Sequence, residues 1–228
     1  MYIWKCWRDT RSFFIAFLVV AAGAMPFIGL TSRGSNMVRD VGMTAVSGTF
    51  GLITMIVALG LGAIGATHEF AEQATHFLFT QPRSRQYFVW AGWSVGGIEL
   101  AIIAAVGLLA SWATLAVYGI RPFSAPLLGS IQERNIVAMF LYSFFVYALT
   151  YSLTAVLRSG LKGLGASLGT LTALSAFAVL MRVRWNMRLP TPVEKIGGLP
   201  LAASYVVWMS IALLFVYGAQ VAMERAEI

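Results

Sequence analysis

His68, Glu72 and His76 stand at i, i+4 and i+8, so a continuous helix would carry them on one face. Two imidazoles and a carboxylate can hold zinc and leave a position open for water. Distance argues against it: His68 and His76 would lie about 12 Å apart along an ideal axis, too far for one ion without a bend. His68-Glu69-Phe70-Ala71-Glu72 also lacks the histidine that a zinc-protease helix places fifth. The expectation is that this chain holds no metal and that both histidines are interfacial and hydrogen-bonded. They are the only 2 histidines, and Cys6 is the only cysteine. No Ser-His-Asp or Cys-His set can be assembled around the insert that holds them, and an internal disulfide or a cysteine-rich metal site is excluded.

Glu99 is the second candidate. It interrupts an otherwise charge-free run from Gln86 to Ile120. A carboxylate at the centre of a membrane helix costs about 2.5–3.5 kcal/mol on insertion scales, so it turns inward and finds a partner. No basic residue is expected at comparable depth, which leaves the hydroxyls of Tyr147, Thr150 and Tyr151 as donors. Such a site either handles substrate or protons, as in a proton-coupled secondary carrier, or forms a structural hydrogen bond inside a helix bundle. The third candidate, Gly60-Leu61-Gly62-Ala63-Ile64-Gly65, has the letters of a dinucleotide-binding turn. That turn works only between a strand and a helix. In a charge-free run these glycines are read as helix-packing residues, as are Gly92-x-x-x-Gly96 and Gly165-x-x-x-Gly169. No Gly-x-x-x-x-Gly-Lys-Ser/Thr loop occurs, so the chain does not bind and hydrolyse ATP by that route.

The elements that would position these residues follow from composition. The chain of 228 residues is 59% hydrophobic and 11% charged. A soluble domain carries roughly a quarter of its residues charged, so an ordinary water-soluble fold is excluded. Ser12–Ser32, Val41–Thr67, Asn135–Leu157, Gly163–Met181 and Ile196–Met223 contain no Asp, Glu, Lys or Arg. With the run around Glu99, each reaches the ~18–20 residues that cross a bilayer as a helix. Backbone amides in lipid must be paired within the segment, and runs this long suit helices rather than barrel strands.

The fold predicted is an all-α integral membrane protein with a single transmembrane domain over 1–228. Its spans are placed at about 12–30, 41–66, 87–118, 135–157, 163–181 and 201–223. Pro26 is expected to end or kink the first span. Trp4 and Trp7 share a helix face, and with Lys5 and Arg8 they suit either a short interfacial N-terminal helix or the plain aromatic and basic flank of a first span. Lys5, Arg8 and Arg11 followed by the apolar run through Ala22-Gly23-Ala24 read as an uncleaved signal anchor. The net charge of +7 is assigned to helix ends and membrane lipids, with no nucleic-acid platform. Orientation is undecided on charge alone, because the basic residues on the two sides tie. The first span leans weakly inward through Lys5, Arg8 and Arg11 against Arg33 and Arg39.

Between the second and third expected spans lies a polar insert, His68 to Arg85. Its segment Glu72-Gln73-Ala74-Thr75-His76-Phe77-Leu78-Phe79-Thr80-Gln81-Pro82-Arg83-Ser84-Arg85 resembles the signature of type 2 ABC exporter permeases. In that family an acidic residue, a Gly-Thr pair, an apolar turn and Pro-x-Ser-Arg follow the second span. Thr75, Leu78, Pro82, Ser84 and Arg85 match, and Ala74 replaces the usual glycine. The resemblance implies a cytosolic coupling helix at about 68–81 that docks on a separate ATP-binding subunit. Both termini would then be cytosolic, in a bacterial plasma (inner) membrane. A second permease copy or a sister permease would complete the export path. It also implies that the chain is a transport subunit rather than an enzyme, binding no cofactor itself, with ATP and Mg held by the partner. Glu69 and Glu72 would offer charge to that partner, Phe77 and Leu78 apolar contact, and Pro82 the helix stop. Arg83 and Arg85 would anchor the return at the headgroups, which is also what any basic flank does.

Overall fold

A computed structural model describes residues 2–31, 38–70, 85–117, 131–185 and 201–225. The described residues form helices: α1 (Tyr2–Thr31), α2 (Val38–Phe70), α3 (Arg85–Val117), α4 (Ile131–Leu157), α5 (Gly160–Trp185) and α6 (Leu201–Arg225). Five of them contain stretches long and apolar enough to cross a membrane: Gly48–Thr67 in α2, Tyr87–Ala110 in α3, Val137–Leu157 in α4, Gly160–Arg184 in α5 and Tyr205–Ala222 in α6. The expected first span, 12–30, lies within α1.

One expectation about α1 is corrected, and a second is narrowed. The separate interfacial N-terminal helix is absent, because α1 runs unbroken from Tyr2 to Thr31. Lys5, Arg8 and Arg11 do not interrupt it, since long basic side chains are good helix formers. Trp4 and Trp7 do share a face, with ring centroids 4.9 Å apart. Pro26 does not end the helix either; one missing amide costs a single hydrogen bond, which membrane helices tolerate where neighbours and backbone adjust.

The packing centres on α4, which contacts α2, α3, α5 and α6, while α1 lies along α3 and α2. Tyr147 and Tyr151 of α4, Phe50, Val57 and Leu61 of α2, and Leu100 and Ile103 of α3 are fully buried. In lipid such a core is held by close packing and polar links, because leaving hydrocarbon for protein brings no hydrophobic gain. Gly62 sits directly against the α4 backbone. A Cβ added there would lie 2.8 Å from Thr150 Cβ and 3.0 Å from both the Tyr147 carbonyl oxygen and the Tyr151 amide nitrogen. Gly96 of α3 likewise leaves room for the Tyr147 ring and hydroxyl. Gly60, Gly62 and Gly65 of α2 therefore pack against neighbouring helices, as expected, and the dinucleotide reading falls because they lie in mid-helix. Gly165 and Gly169 meet nothing within 4 Å, so that pair packs against no helix among the described residues.

Arg158 and Ser159 form a tight turn between α4 and α5. Arg158 takes the left-handed conformation, φ 51°, that commonly follows a helix C-terminus. Ser159 then caps α5: its hydroxyl accepts from the Lys162 amide at 3.5 Å, and its carbonyl accepts from the Gly163 amide at 2.8 Å.

Candidate functional site

The insert is framed by described helices but lies mostly outside them. Glu69 falls in the last turn of α2, after His68, and Arg85 is the first residue of α3. Glu72, Thr75, His76, Phe77, Leu78, Pro82, Arg83 and Ser84 lie outside the described residues.

Glu99 lies in the middle of α3 and is 2% exposed. Its partner is not on α4. The Thr10 hydroxyl of α1 donates to Glu99 Oε1 at 2.7 Å. That hydroxyl has one hydrogen and also faces the carbonyls of Cys6 at 3.1 Å and Trp7 at 3.3 Å. The carboxyl oxygen is the nearest of the three acceptors. Glu99 Oε2 has no hydrogen-bond partner among the described residues. The arrangement ties α1 to α3 across a buried seam.

The three side chains expected to serve Glu99 are engaged elsewhere. The Tyr147 hydroxyl donates to the Trp93 carbonyl at 2.6 Å, and the Tyr151 hydroxyl donates to the Val89 carbonyl at 3.0 Å. Both tyrosines thus pin α4 to α3, one turn apart on each helix. Thr150 packs against Gly62, and its hydroxyl is without a partner among the described residues. Glu99, Tyr147, Thr150 and Tyr151 therefore belong to one bundle without forming one polar site.

Thr10 was missed because the N-terminal segment was read as a headgroup flank. A signal was present: Cys6, Thr10, Phe13, Phe17 and Ala21 recur at helical spacing on the side opposite Arg8 and Arg11. Cys6, Thr10 and Ala21 are buried, whereas Arg8 and Arg11 are exposed. Two further links were also unforeseen. The Trp90 indole donates to Gln220 Oε1 at 2.9 Å, joining α3 to α6. The Ser143 hydroxyl donates to Thr54 Oγ1 at 2.9 Å, joining α4 to α2.

These features define a class: a helical protein in which five helices are long and apolar enough to cross a membrane, joined by sparse buried hydrogen bonds. Comparison with known proteins finds no matching family model and no significantly similar sequence.

Proposed function

We propose that this chain is the membrane-embedded permease subunit of an ATP-driven exporter of the type 2 ABC class. The observation that carries the reading is the insert, in which Glu72, Thr75, Leu78, Pro82, Ser84 and Arg85 stand in the order of that family's coupling segment. Its setting supports the reading, since α2 and α3, each long and apolar enough to cross a membrane, run up to the insert from both sides. A polar segment held between two such helices can pass displacement of a soluble partner into a bundle that has two arrangements.

In this reading the insert faces the cytosol of a bacterial cell and docks on a separate ATP-binding subunit, which holds ATP and Mg. Glu69 and Glu72 present carboxylates to that subunit, Phe77 and Leu78 fill its apolar groove, and Pro82 ends the docking helix. Ser84 and Arg85 set the return into α3. A second copy or a sister permease completes the path. Glu99 acts here as a helix tie rather than as a proton carrier, because its nearest donor is a hydroxyl of α1.

Co-expression with the genes flanking it tests the proposal. An ATPase subunit is expected to co-purify with the chain. Glu72→Ala with Phe77→Ala is expected to leave the complex assembled while separating ATP hydrolysis from transport. Failure of any ATPase to bind the intact chain would remove the exporter reading. Transport that persists without ATP and disappears in Glu99→Gln would instead favour a proton-coupled carrier.

A further inference from the structure

The buried hydroxyls of this bundle share a habit: each donates its one hydrogen to the carbonyl four residues back. Thr54 does so to Phe50 at 2.8 Å, Ser152 to Ala148 at 2.7 Å and Ser167 to Gly163 at 2.7 Å. Where such a hydroxyl also meets another helix, the second contact has to bring its own hydrogen. Ser143 brings one to Thr54 at 2.9 Å, so two hydrogens make two bonds in series. Thr10 is placed in the same way, 3.1 Å from the Cys6 carbonyl and 2.7 Å from Glu99 Oε1. The difference is that a carboxyl has a hydrogen to bring only when it is protonated.

With Glu99 ionised, the Thr10 hydrogen goes to Oε1, the Cys6 carbonyl loses it, and Oε2 has no donor among the described residues. A buried carboxylate oxygen without a donor is costly. With a proton on Oε1 the 2.7 Å contact reverses: Glu99 donates to Thr10, and Thr10 donates to Cys6. Oε2 is then an ordinary carbonyl oxygen, which tolerates burial without a partner far better. No counter-charge among the described residues takes the place of that proton. Gly48–Thr67 of α2 and Val137–Leu157 of α4 contain no Asp, Glu, Lys, Arg or His. The Tyr147 and Tyr151 hydroxyls are spent on α3 carbonyls, and Tyr142 stacks on Phe145. α6 reaches α3 through Gln220, an uncharged amide. On α1 only the Cys6 thiol shares the face of Thr10. Lys5, Arg8, Asp9 and Arg11 lie off that face by helical register, and Arg8 is 3.6 Å from Asp9.

We propose that Thr10 and Glu99 form a proton-operated latch between α1 and α3. Protonated, the pair makes two hydrogen bonds in series and holds α1 against α3. Loss of the proton leaves one bond and an uncompensated buried charge, and α1 eases away until water reaches the carboxylate. The closed seam thus binds one proton more than the open one. Closure is complete at low pH and weakens as pH rises. The proton is taken up and given back at the same seam, so the latch is a switch on helix packing and not a carrier. It stands whether or not the insert docks an ATPase.

Two measurements on the full-length protein in neutral detergent test it, from about pH 5.5 to about pH 9, where ordinary side-chain carboxyls are already ionised. Infrared spectra should show a protonated-carboxyl band at the acid end that fades as pH rises and is missing in Glu99→Gln. Cys6, buried one turn before Thr10 on the same face, reports the seam through its labelling by a maleimide. Glutamine keeps a donor for Thr10 at every pH, so Glu99→Gln holds the latch shut and also corrects for ionisation of the thiol itself. The wild-type rate divided by the Glu99→Gln rate should be near one at the acid end. It should rise at least about threefold at the alkaline end, the factor that an average hydrogen bond between membrane helices corresponds to. Thr10→Val should label faster than the wild type at the acid end too, because the acceptor for the Glu99 hydrogen is gone. If Glu99→Gln does not fold, the wild-type acid band should still fade over the same pH interval in which Cys6 labelling outpaces that of Thr10→Val. A rate ratio that stays flat across the range overturns the proposal. So does the absence of any acid band that depends on Glu99, which would mean a carboxylate ionised throughout.

Discussion

α4 and α5 are neighbours in sequence, joined by the turn at Arg158 and Ser159, and their apolar stretches are of similar hydropathy. Yet 72% of the α4 stretch is buried inside the bundle against 11% of the α5 stretch. Hydropathy admits a helix to the membrane and says nothing of which neighbour it packs on. What separates the two is the distribution of small and polar residues. α4 carries Ser143, Tyr147 and Tyr151, which reach Thr54 and the Trp93 and Val89 carbonyls on neighbouring helices. It also receives Gly62 of α2 at backbone range, and Gly96 of α3 makes room for its Tyr147 ring. The hydroxyls of α5 turn back on their own helix instead, Ser167 to the Gly163 carbonyl and Thr170 to the Ala166 carbonyl. Its large side chains, Leu174, Phe177 and Leu180 among them, are exposed.

The sharpest way to break this comparison is to place the same side chain on both kinds of surface. Gly62→Leu would drive carbon into the α4 backbone, which cannot swing aside as a side chain can. A loss of about 3 kcal/mol is expected, at the upper end for overpacking. Gly165→Leu on α5 meets open space and should change stability by less than about 0.5 kcal/mol. Reversible unfolding in mixed detergent reads both. Equal effects would mean that α5 is as tightly enclosed as α4.

A smaller effect should follow from removing one atom of the α4 network. Tyr147→Phe keeps the ring between Phe144 and Tyr151 but deletes the donor to the Trp93 carbonyl. A loss of about 1 kcal/mol is expected, a usual net value for one hydrogen bond. Thr170→Val on α5 removes only a bond to its own helix and should sit near zero on the same unfolding measurement. A Tyr147→Phe protein as stable as the wild type would show that packing alone holds α4 in place.

The contrast also marks what sequence can reveal. The helices were legible because charges bracket them. The expected 87–118, 135–157 and 201–223 differ from α3, α4 and α6 by a few residues at most. Helix ends were less so: α5 extends to Trp185 through Arg182 and Arg184, since arginine at a helix C-terminus is favourable rather than disruptive. The central place of α4 was not legible, because no periodicity separates a helix enclosed by protein from one enclosed by lipid when both are apolar all round. Glu99 was recognisable as a residue needing a donor, but naming that donor required the relative depth of α1 and α3, a property of two helices together. The insert that carries the exporter reading lies outside the described residues from Ala71 to Ser84.

α1 combines the two kinds of surface on one helix, its outer face like α5 and its inner face like α4, and so offers the finest test. If polar contact locates a helix against its neighbours, the Thr10–Glu99 pair should couple, because each side chain is buried. Thr10→Val, Glu99→Leu and the double variant form a cycle in which the pairwise term is the deviation from additivity. A coupling of about 0.6 kcal/mol is expected, the average for hydrogen bonds between membrane helices. The term is small because an unfolded helix in the membrane finds other partners for its polar groups. Stability alone could also move through repacking, so a second readout is needed. Cys6 is buried one turn before Thr10 on the same face, and it is the chain's only cysteine. Loosening α1 from α3 should raise its labelling by a membrane-permeant maleimide in both single variants, with little further rise in the double. Additive free energies with unchanged Cys6 labelling would mean that shape alone seats α1, and that polar contact sets position only around α4.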